Sequence, residues 1–287
     1  MNIGAMFRRN PNRGSGTGGS STNPDQRERK KSRREADELC SSYDKEYARV
    51  SQRKVLPTKW ACSEFLSHQG LQTDFDLLLH NAGMTVFGVL NCDTYKRATH
   101  EFLASFYDDL ALRGRDCTVS FRLNGIPHTI TFEDFCGCFG FSTEGELDIT
   151  EEALQEASQA WEQISVYRDR RFLRKKTSRI QNPTIRYFTT FWVNSLFGKG
   201  DTGAMAAPEI CVIYSALHPE MVNRVNLGAL LIQHFRRQRS ANSGDICCGG
   251  LVTQIAYRRN FVMPPGNVIP GSKYLDDNHW LAQNLLV

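Results

Sequence analysis

The chain has 287 residues, of which 40% are hydrophobic and 10% aromatic, which is enough to form a substantial core. No apolar run approaches the roughly 18–20 residues that span a bilayer, and the N-terminus lacks a charged-then-apolar signal pattern, so neither a membrane nor secretion is predicted. The nine cysteines lack disulfide-framework spacing and predict reduced thiols in a nuclear or cytoplasmic protein.

The formal net charge of +4 is unevenly distributed along the chain. Residues 1–59 carry fourteen Lys/Arg and seven Asp/Glu, a net +7, whereas the remainder carries −3. Residues 1–24 are rich in Gly, Ser, Asn and Pro and predict disorder, and residues 25–54 predict a solvated or partner-dependent helix. The sequence therefore predicts a disordered basic arm over 1–59, a form suited to polyanions such as nucleic acid.

The first elements of the body follow from apolar periodicity and turn residues. Residues 72–82 predict a short helix, and residues 93–110 predict a longer one with six apolar residues on one face. Alternating apolar residues on both sides of Asn124-Gly125 predict a β-hairpin over 117–132, because this dipeptide is the strongest two-residue turn signal. A short helix is expected to follow and to end by Gly140.

The second half of the body is predicted to be helical. Thr150 is a candidate N-cap for a helix over 150–162, and Asn182-Pro183 opens a buried helix that Gly198 ends. Further helices are predicted from Pro208, over 224–239, and after Gly249-Gly250. The fold class is thus mainly α: a multi-helix globular body over 60–263 with one β-hairpin, between the disordered basic arm and a loop-like tail over 264–287.

The stretch FGKGDTGAM, residues 197–205, contains two motifs associated with enzymes. Asp201-Thr202-Gly203 resembles the catalytic loop of retroviral-type aspartic proteases, but that aspartate must follow an apolar strand, and here a predicted helix and Gly-Lys-Gly precede it. The glycine spacing of a dinucleotide loop also requires a preceding strand. The stretch is interpreted as a polar connector between two helices.

No other catalytic or metal-binding pattern is found. The pairs Cys136/Cys138 and Cys247/Cys248 lack the spacing of a structural zinc site and predict buried thiols. The seven histidines form no known catalytic frame and are expected at the surface or hydrogen-bonded in the core. A hydrolase or nuclease remains an alternative of another class, and its metal ligands would be acids. The candidate acids are Asp108, Asp109, Glu133 and Asp134.

Two basic runs are candidate nucleic-acid-binding sites, because guanidinium and ammonium groups bind phosphate. The first also contains Lys30-Lys31-Ser32-Arg33, which fits a short nuclear-import signal. The second is interleaved with Tyr167 and Phe172, and pairing with the acidic 144–156 region is its alternative. The candidate residues are Arg27, Arg29, Lys30, Lys31, Arg33 and Arg34 in the first run, and Arg170, Arg171, Arg174, Lys175 and Lys176 in the second.

The order of several stretches resembles one family. TYKRATHEFLASF, VSFRLNGIPHTITFEDFCGCFGF, SRIQNPTIRYFTTFWVNSLFG, VNLGALLIQHF and GDICCGGLVTQIAYRRNF follow one another over residues 60–263. Together they resemble the first-open-reading-frame product of Athila-type plant LTR retrotransposons, and they are also similar to plant mobile-domain and other transposon-derived proteins. The resemblance implies a Gag-like or accessory protein without enzymatic activity, although the zinc knuckle of many Gag proteins is missing.

The sequence thus predicts a non-enzymatic retrotransposon-derived protein that associates with itself or binds nucleic acid, RNA or DNA, through its basic segments. A host plant nuclear protein-interaction module derived from a mobile element is the alternative. No cofactor and no metal are expected, and no small-molecule substrate is identified.

Overall fold

The computed structural model describes residues 42–165, 175–198, 204–221, 225–263, 266 and 268–282. The chain divides into a unit of residues Met1–Ser42, nearly all of it outside these ranges, and a compact unit of residues Tyr43–Val287. The described helices are α1 (42–51), α2 (Ser63–His68), α3 (Gln72–Asn81), α4 (Thr85–Gly88), α5 (Lys96–Ser105), α6 (Leu110–Arg113), α7 (Phe132–Phe139), α8 (Glu151–Ile164), α9 (Pro183–Ser195), α10 (Ala207–Leu217), α11 (Leu227–Ser240), α12 (Gly249–Arg258) and α13 (Asp277–Ala282).

The strands are few and short. They are β1 (Tyr107–Asp108), β2 (Thr118–Leu123), β3 (Ile126–Thr131), β4 (Lys175–Lys176) and β5 (Ala204–Met205). β1, β2 and β3 form an antiparallel sheet in that order, and β4 pairs antiparallel with β5. The predicted fold class, a mainly helical body with one hairpin, is confirmed for the described residues.

The hairpin forms as the Asn124-Gly125 signal predicts. Both turn residues have positive φ, 53° and 76°, as a type I′ turn requires, and Leu123 pairs with Ile126 across it. The residue pair that closes a two-residue turn, here Leu123 and Ile126, is hydrogen-bonded across the strands. The next pair is not, so the backbone nitrogen of Pro127 points away from β2. Proline has no N–H to offer there, which protects this outer edge of the sheet from pairing with another strand.

Capping residues mark the ends of several helices near the predicted positions. The Thr150 side chain accepts a hydrogen bond from the Ala153 N–H, and Asn182 accepts from Thr184 and Ile185. Gly140 and Gly198, both with positive φ, follow the ends of α7 and α9. These helices therefore start and stop for local reasons that the sequence contains.

The helix predicted over 93–110 ends earlier, at Ser105. Phe106 is extended, and residues 107–108 pair with β2 as β1. The Ser105 hydroxyl accepts a hydrogen bond from the Arg122 N–H at 2.7 Å, so the helix end is fixed by the hairpin. Phe106 and Leu110 are buried as expected, although they reach the core from a strand connection and from α6.

The predicted boundary at residue 59 is wrong, because residues 42–59 pack on the body. Val50 and Val55 are buried, and Val55 forms a parallel bridge with Ile246. Hydrogen bonds join Leu56 N–H to the Ile246 carbonyl and Ile246 N–H to the Lys54 carbonyl, both at 2.8 Å. Composition alone made this segment appear solvated, since its contacts lie almost 200 residues away in the chain.

The tail over 264–287 is also not loop-like where it is described. Trp280 in α13 is buried and stacks on Phe65 and Tyr187, with ring centroids 6.0 and 5.5 Å apart. The Tyr187 hydroxyl donates to the Leu275 carbonyl at 3.1 Å and accepts from the Cys62 N–H at 2.8 Å. Contacts with α2 and α9 therefore hold this segment in the compact unit.

The core is continuous and strongly aromatic. Phe75 of α3 contacts the rings of Tyr187, Phe188 and Phe191 in α9. A second group of tilted or edge-on rings links α5, β2 and α11, and consists of Phe102, Phe106, Phe121 and Phe235. Aromatic pairs of this kind add about 0.5–1.5 kcal/mol each beyond their buried area.

Gly249 and Gly250 form the first turn of α12 instead of preceding it. A Cβ on Gly249 would lie 2.4 Å from atoms of both Thr94 and Thr99, and one on Gly250 would lie 2.8 Å from the Trp60 ring. Only glycine allows this close approach of α12 to the residues around the start of α5.

Candidate functional site

The predicted nucleic-acid-binding residues fall mostly outside the described part of the chain. The run from Arg27 to Arg34 lies there, and so do Arg170, Arg171 and Arg174. Lys175 and Lys176 form β4, whose backbone pairs with Met205 and Ala204. Binding of nucleic acid by these eleven residues stays a prediction.

The packing of residues 42–59 changes the division of charge. With the compact unit beginning at residue 43, residues 1–41 hold nine Lys/Arg and five Asp/Glu, and residues 42–287 hold 26 of each sign. The full net charge of +4 therefore belongs to residues 1–41, and the rest of the chain is balanced.

Arg49 and Arg53 have a structural use. Both donate hydrogen bonds to carbonyl oxygens at the C-terminal end of α11: Arg49 to Arg239 and, at 2.7 Å, to Ala241, and Arg53 to Gln238. Arg53 also donates to the Gly244 carbonyl at 2.9 Å. Two cations at a helix C-terminus satisfy otherwise unpaired carbonyl groups and complement the helix dipole.

Asp108 and Asp109, two of the four acids considered as metal ligands, are engaged by cations and backbone amides. The Asp108 carboxylate is almost fully buried, receives a bidentate contact from the Arg236 guanidinium, and accepts from the Leu110 N–H at 3.1 Å. Asp109 accepts from the Thr118 N–H at 2.6 Å and pairs with Arg113 at 3.0 Å. Both carboxylates therefore fix the connection between α5 and β2.

The acids of α7 do not assemble a centre either. Asp134 forms a bidentate ion pair with Arg259 at 2.9 and 3.1 Å, and Glu133 is exposed in the first turn of the helix. Among the described residues, no group of three or more His, Cys, Asp or Glu side chains is placed to hold a metal ion. The structure thus provides no support for the hydrolase alternative within that part of the chain.

The cysteine pairs are buried thiols, as predicted. Cys136, Cys138, Cys247 and Cys248 are all buried. Burial raises the pKa of the Cys136 and Cys248 thiols to about 12, and that of Cys138 and Cys247 to about 11. These thiols stay protonated at neutral pH, so none of the four is an activated nucleophile.

The histidines agree only partly with expectation. His68 and His80 are exposed, and His218 contacts Glu220 at 3.2 Å. His100 is buried against Tyr47, its burial lowers its pKa, and its Nε2 has no hydrogen-bond partner within the described residues.

The Asp201-Thr202-Gly203 stretch lies outside the described residues, between α9 and the short strand β5.

A surface groove of about 750 Å³ lies between α2, α3, α4 and the segment 88–91. Its floor is apolar, with Leu66, Phe75 and Leu79 among its lining residues, and the exposed carboxylates of Glu64 and Asp76 also line it. Sequence reasoning missed this groove, because its walls come from helices whose relative placement only tertiary packing determines.

Comparison with known families decides the lineage. A family described as the ATHILA ORF-1 family matches residues 19–283, which is most of the chain. The chain belongs to the ATHILA ORF-1 family. The resemblance seen in the ordered sequence stretches is thereby confirmed, and this ORF-1 chain is a retrotransposon-derived protein.

Comparisons of this ORF-1 chain with curated proteins and with solved structures give no match. Its helices in the described ranges include none with the length and apolar character to cross a bilayer.

Proposed function

We propose that this ORF-1 chain is a Gag-like, non-enzymatic component of its retrotransposon. It binds nucleic acid through its basic N-terminal segment, and its compact unit associates with other copies. The observation that carries the proposal is the position of the net charge, all of which lies in residues 1–41 beside a compact unit of balanced charge. The run 27–34 alone has six cations and one carboxylate.

A segment of this composition favours phosphate over a specific base. Each Lys or Arg that neutralises a phosphate releases a counterion, so affinity depends on salt in proportion to the number of contacts. Arginines pair with Asp108, Asp109 and Asp134, three of the four acids considered as metal ligands, and this supports the non-enzymatic part of the proposal.

Salt-dependent binding tests the arm. We expect full-length protein to bind a fluorescent single-stranded 30-mer, RNA or DNA, with a log affinity that falls linearly with log salt. Replacing four arm cations with glutamine should weaken binding and reduce the slope by about 2–3, at roughly 0.7 per lost contact. The substitutions are Arg29→Gln, Lys30→Gln, Lys31→Gln and Arg33→Gln.

The matched control removes the same charge from exposed positions of the compact unit. It carries Lys45→Gln, Lys54→Gln, Lys96→Gln and Arg97→Gln. The control should leave the slope closer to that of the unaltered chain. Equal slopes for the arm variant and the unaltered protein would refute nucleic-acid binding by the arm.

A further inference from the structure

The groove between α2, α3 and α4 combines an apolar floor with negative charge. Leu66, Phe75 and Leu79 contribute apolar surface, and Glu64 and Asp76 are both exposed beside it. Neither a lysine nor an arginine is among the described residues that line it. Val89, which also lines the groove, is 78% exposed, so part of its apolar wall faces solvent.

The apolar floor and the two carboxylates indicate which kind of peptide segment the groove would bind. An apolar groove with carboxylates suits a segment in which aromatic or aliphatic residues alternate with Lys or Arg, because the first kind fills the floor and the second pairs with the acids. Glu64 and Asp76 form no ion pair within the described residues, so their charge is available to such a partner.

The chain itself contains a segment of that kind. Residues 166–174, VYRDRRFLR, have four arginines, one aspartate and four apolar residues, and they lie outside the described part. The described residues on each side are anchored, since Ser165 bridges to Ile180 and Lys175 pairs with Met205. Nine residues therefore join two described positions, Ser165 and Lys175, that contacts with the body hold in place.

We propose that the groove of one copy binds segment 166–174 of a second copy. The inference rests on the proposed self-association and names its two surfaces. Residues 42–287 have equal numbers of acids and bases, yet the two surfaces carry opposite charge, and that arrangement favours contact between copies over general repulsion. Because the two surfaces differ, the contact is heterologous and repeats from copy to copy unless a ring closes.

Charge reversal at each surface, read by sedimentation velocity over a range of protein concentrations, tests the proposal on the full chain. The unaltered protein should form species larger than a dimer as concentration rises. Glu64→Lys with Asp76→Lys, and separately Arg170→Glu with Arg171→Glu, should each weaken association by about tenfold or more. A mixture of the two variants should associate again, because the intact segment of one binds the intact groove of the other and the two reversed surfaces also carry opposite charge.

The combined four-residue variant, with both charges exchanged, should regain association. Glu144→Lys with Asp148→Lys is the matched control, since both are exposed acids of the 144–156 region, the alternative partner of the basic run. Loss of association in this control and not in the groove variant would overturn the proposal. A monomeric unaltered chain, or a mixture that stays monomeric, would overturn it equally.

Two further measurements distinguish a loss of self-association from unfolding and from a loss of nucleic-acid binding. Circular dichroism melting of each variant checks that it is folded, and a groove variant that unfolds is replaced by Val89→Lys, which alters an exposed wall residue. The groove variant should keep the salt slope for nucleic acid of the unaltered chain. The experiments can therefore refute self-association while nucleic-acid binding is retained, or refute nucleic-acid binding while self-association is retained.

Discussion

The carboxylate of Glu101 shows how one buried charge can hold a turn. Glu101 is 4% exposed, and its two oxygens accept hydrogen bonds from the backbone N–H groups of Asn124 and Gly125, the first at 2.9 Å. The hairpin turn is thereby fastened to α5, more than twenty residues earlier. The turn could be predicted from the sequence but this acid could not, because nothing in the local pattern marks a helical glutamate as a partner of a distant turn.

Removing that carboxylate should destabilise the fold measurably. We expect Glu101→Ala to lower the free energy of unfolding by about 2–3 kcal/mol, since two N–H groups lose a charged acceptor. Glu101→Gln retains one acceptor oxygen and should have a smaller effect. Urea unfolding followed by circular dichroism measures both, and Glu144→Ala, at an exposed loop position, should stay within about 0.5 kcal/mol. Equal effects of the alanine variants at 101 and 144 would contradict this role.

The buried thiols predict a dependence of stability on pH. Burial raises the pKa of Cys248 to about 12 and of Cys247 to about 11, whereas an unfolded thiol ionises near pH 8.5. Between these values the unfolded chain releases protons that the folded chain keeps, so stability is fully present below about pH 8.5 and falls as pH rises. We expect lower urea midpoints at pH 9.5 than at pH 7.5.

The variant Cys248→Ala isolates the contribution of one thiol. It should reduce the loss of stability between pH 7.5 and 9.5 by about 1 kcal/mol, even though it is less stable at both pH values. Comparison of the two pH values within each protein cancels the cost of the cavity. A loss unchanged by this variant would show that other groups cause the alkaline sensitivity.

At the scale of elements, α1 and the two residues that follow it cap the end of another helix. Arg53 is 6% exposed and donates to the carbonyls of Gln238 and Gly244 and, at 2.7 Å, to the Gln238 side chain. Its burial lowers its pKa, and that desolvation is offset by these acceptors at the end of α11. The segment predicted as a solvated helix is therefore part of the structure because its arginines reach a distant helix terminus.

Loss of the Arg53 guanidinium should destabilise this end of α11. We expect Arg53→Met, which keeps the apolar stem, to lower the free energy of unfolding by about 2–4 kcal/mol, because several buried acceptors lose their donors. The stability of Arg53→Lys should lie between those of the unaltered protein and Arg53→Met, since lysine keeps the charge but lacks the forked guanidinium geometry. Urea unfolding measures each variant, and Lys54→Met, at an exposed neighbour, serves as the control. If Arg53→Met left the free energy of unfolding unchanged, the capping role of Arg53 would be excluded.

At the scale of the whole molecule, local signals in the sequence were enough for most elements. Asn124-Gly125, Thr150, Asn182 and the glycines after α7 and α9 act within a few residues, so their effects could be predicted from the chain alone. The end of α5, the burial of residues 42–59 and the packing of α13 depend on contacts between distant parts of the chain. No local pattern encodes those contacts.

The candidate sites divide in the same way. The burial of the cysteines could be predicted, because it depends on residue type and near neighbours. The groove could not, because its floor and its acids belong to separate helices. The basic runs were found by composition, which locates charge along the chain but not the surface that it meets.

The pairing of the segment around Trp60 with the segment around Tyr274 has a mechanical consequence. The two segments run parallel. The backbone N–H of Trp60 donates to the Lys273 carbonyl at 2.7 Å, and the Trp60 carbonyl accepts from the Leu275 N–H at 2.9 Å. Tension applied before residue 54 and after residue 275 would drag these segments past each other in opposite directions. Both hydrogen bonds would then carry the force together instead of opening in turn, so a stretched filament of such chains would resist extension at this seam.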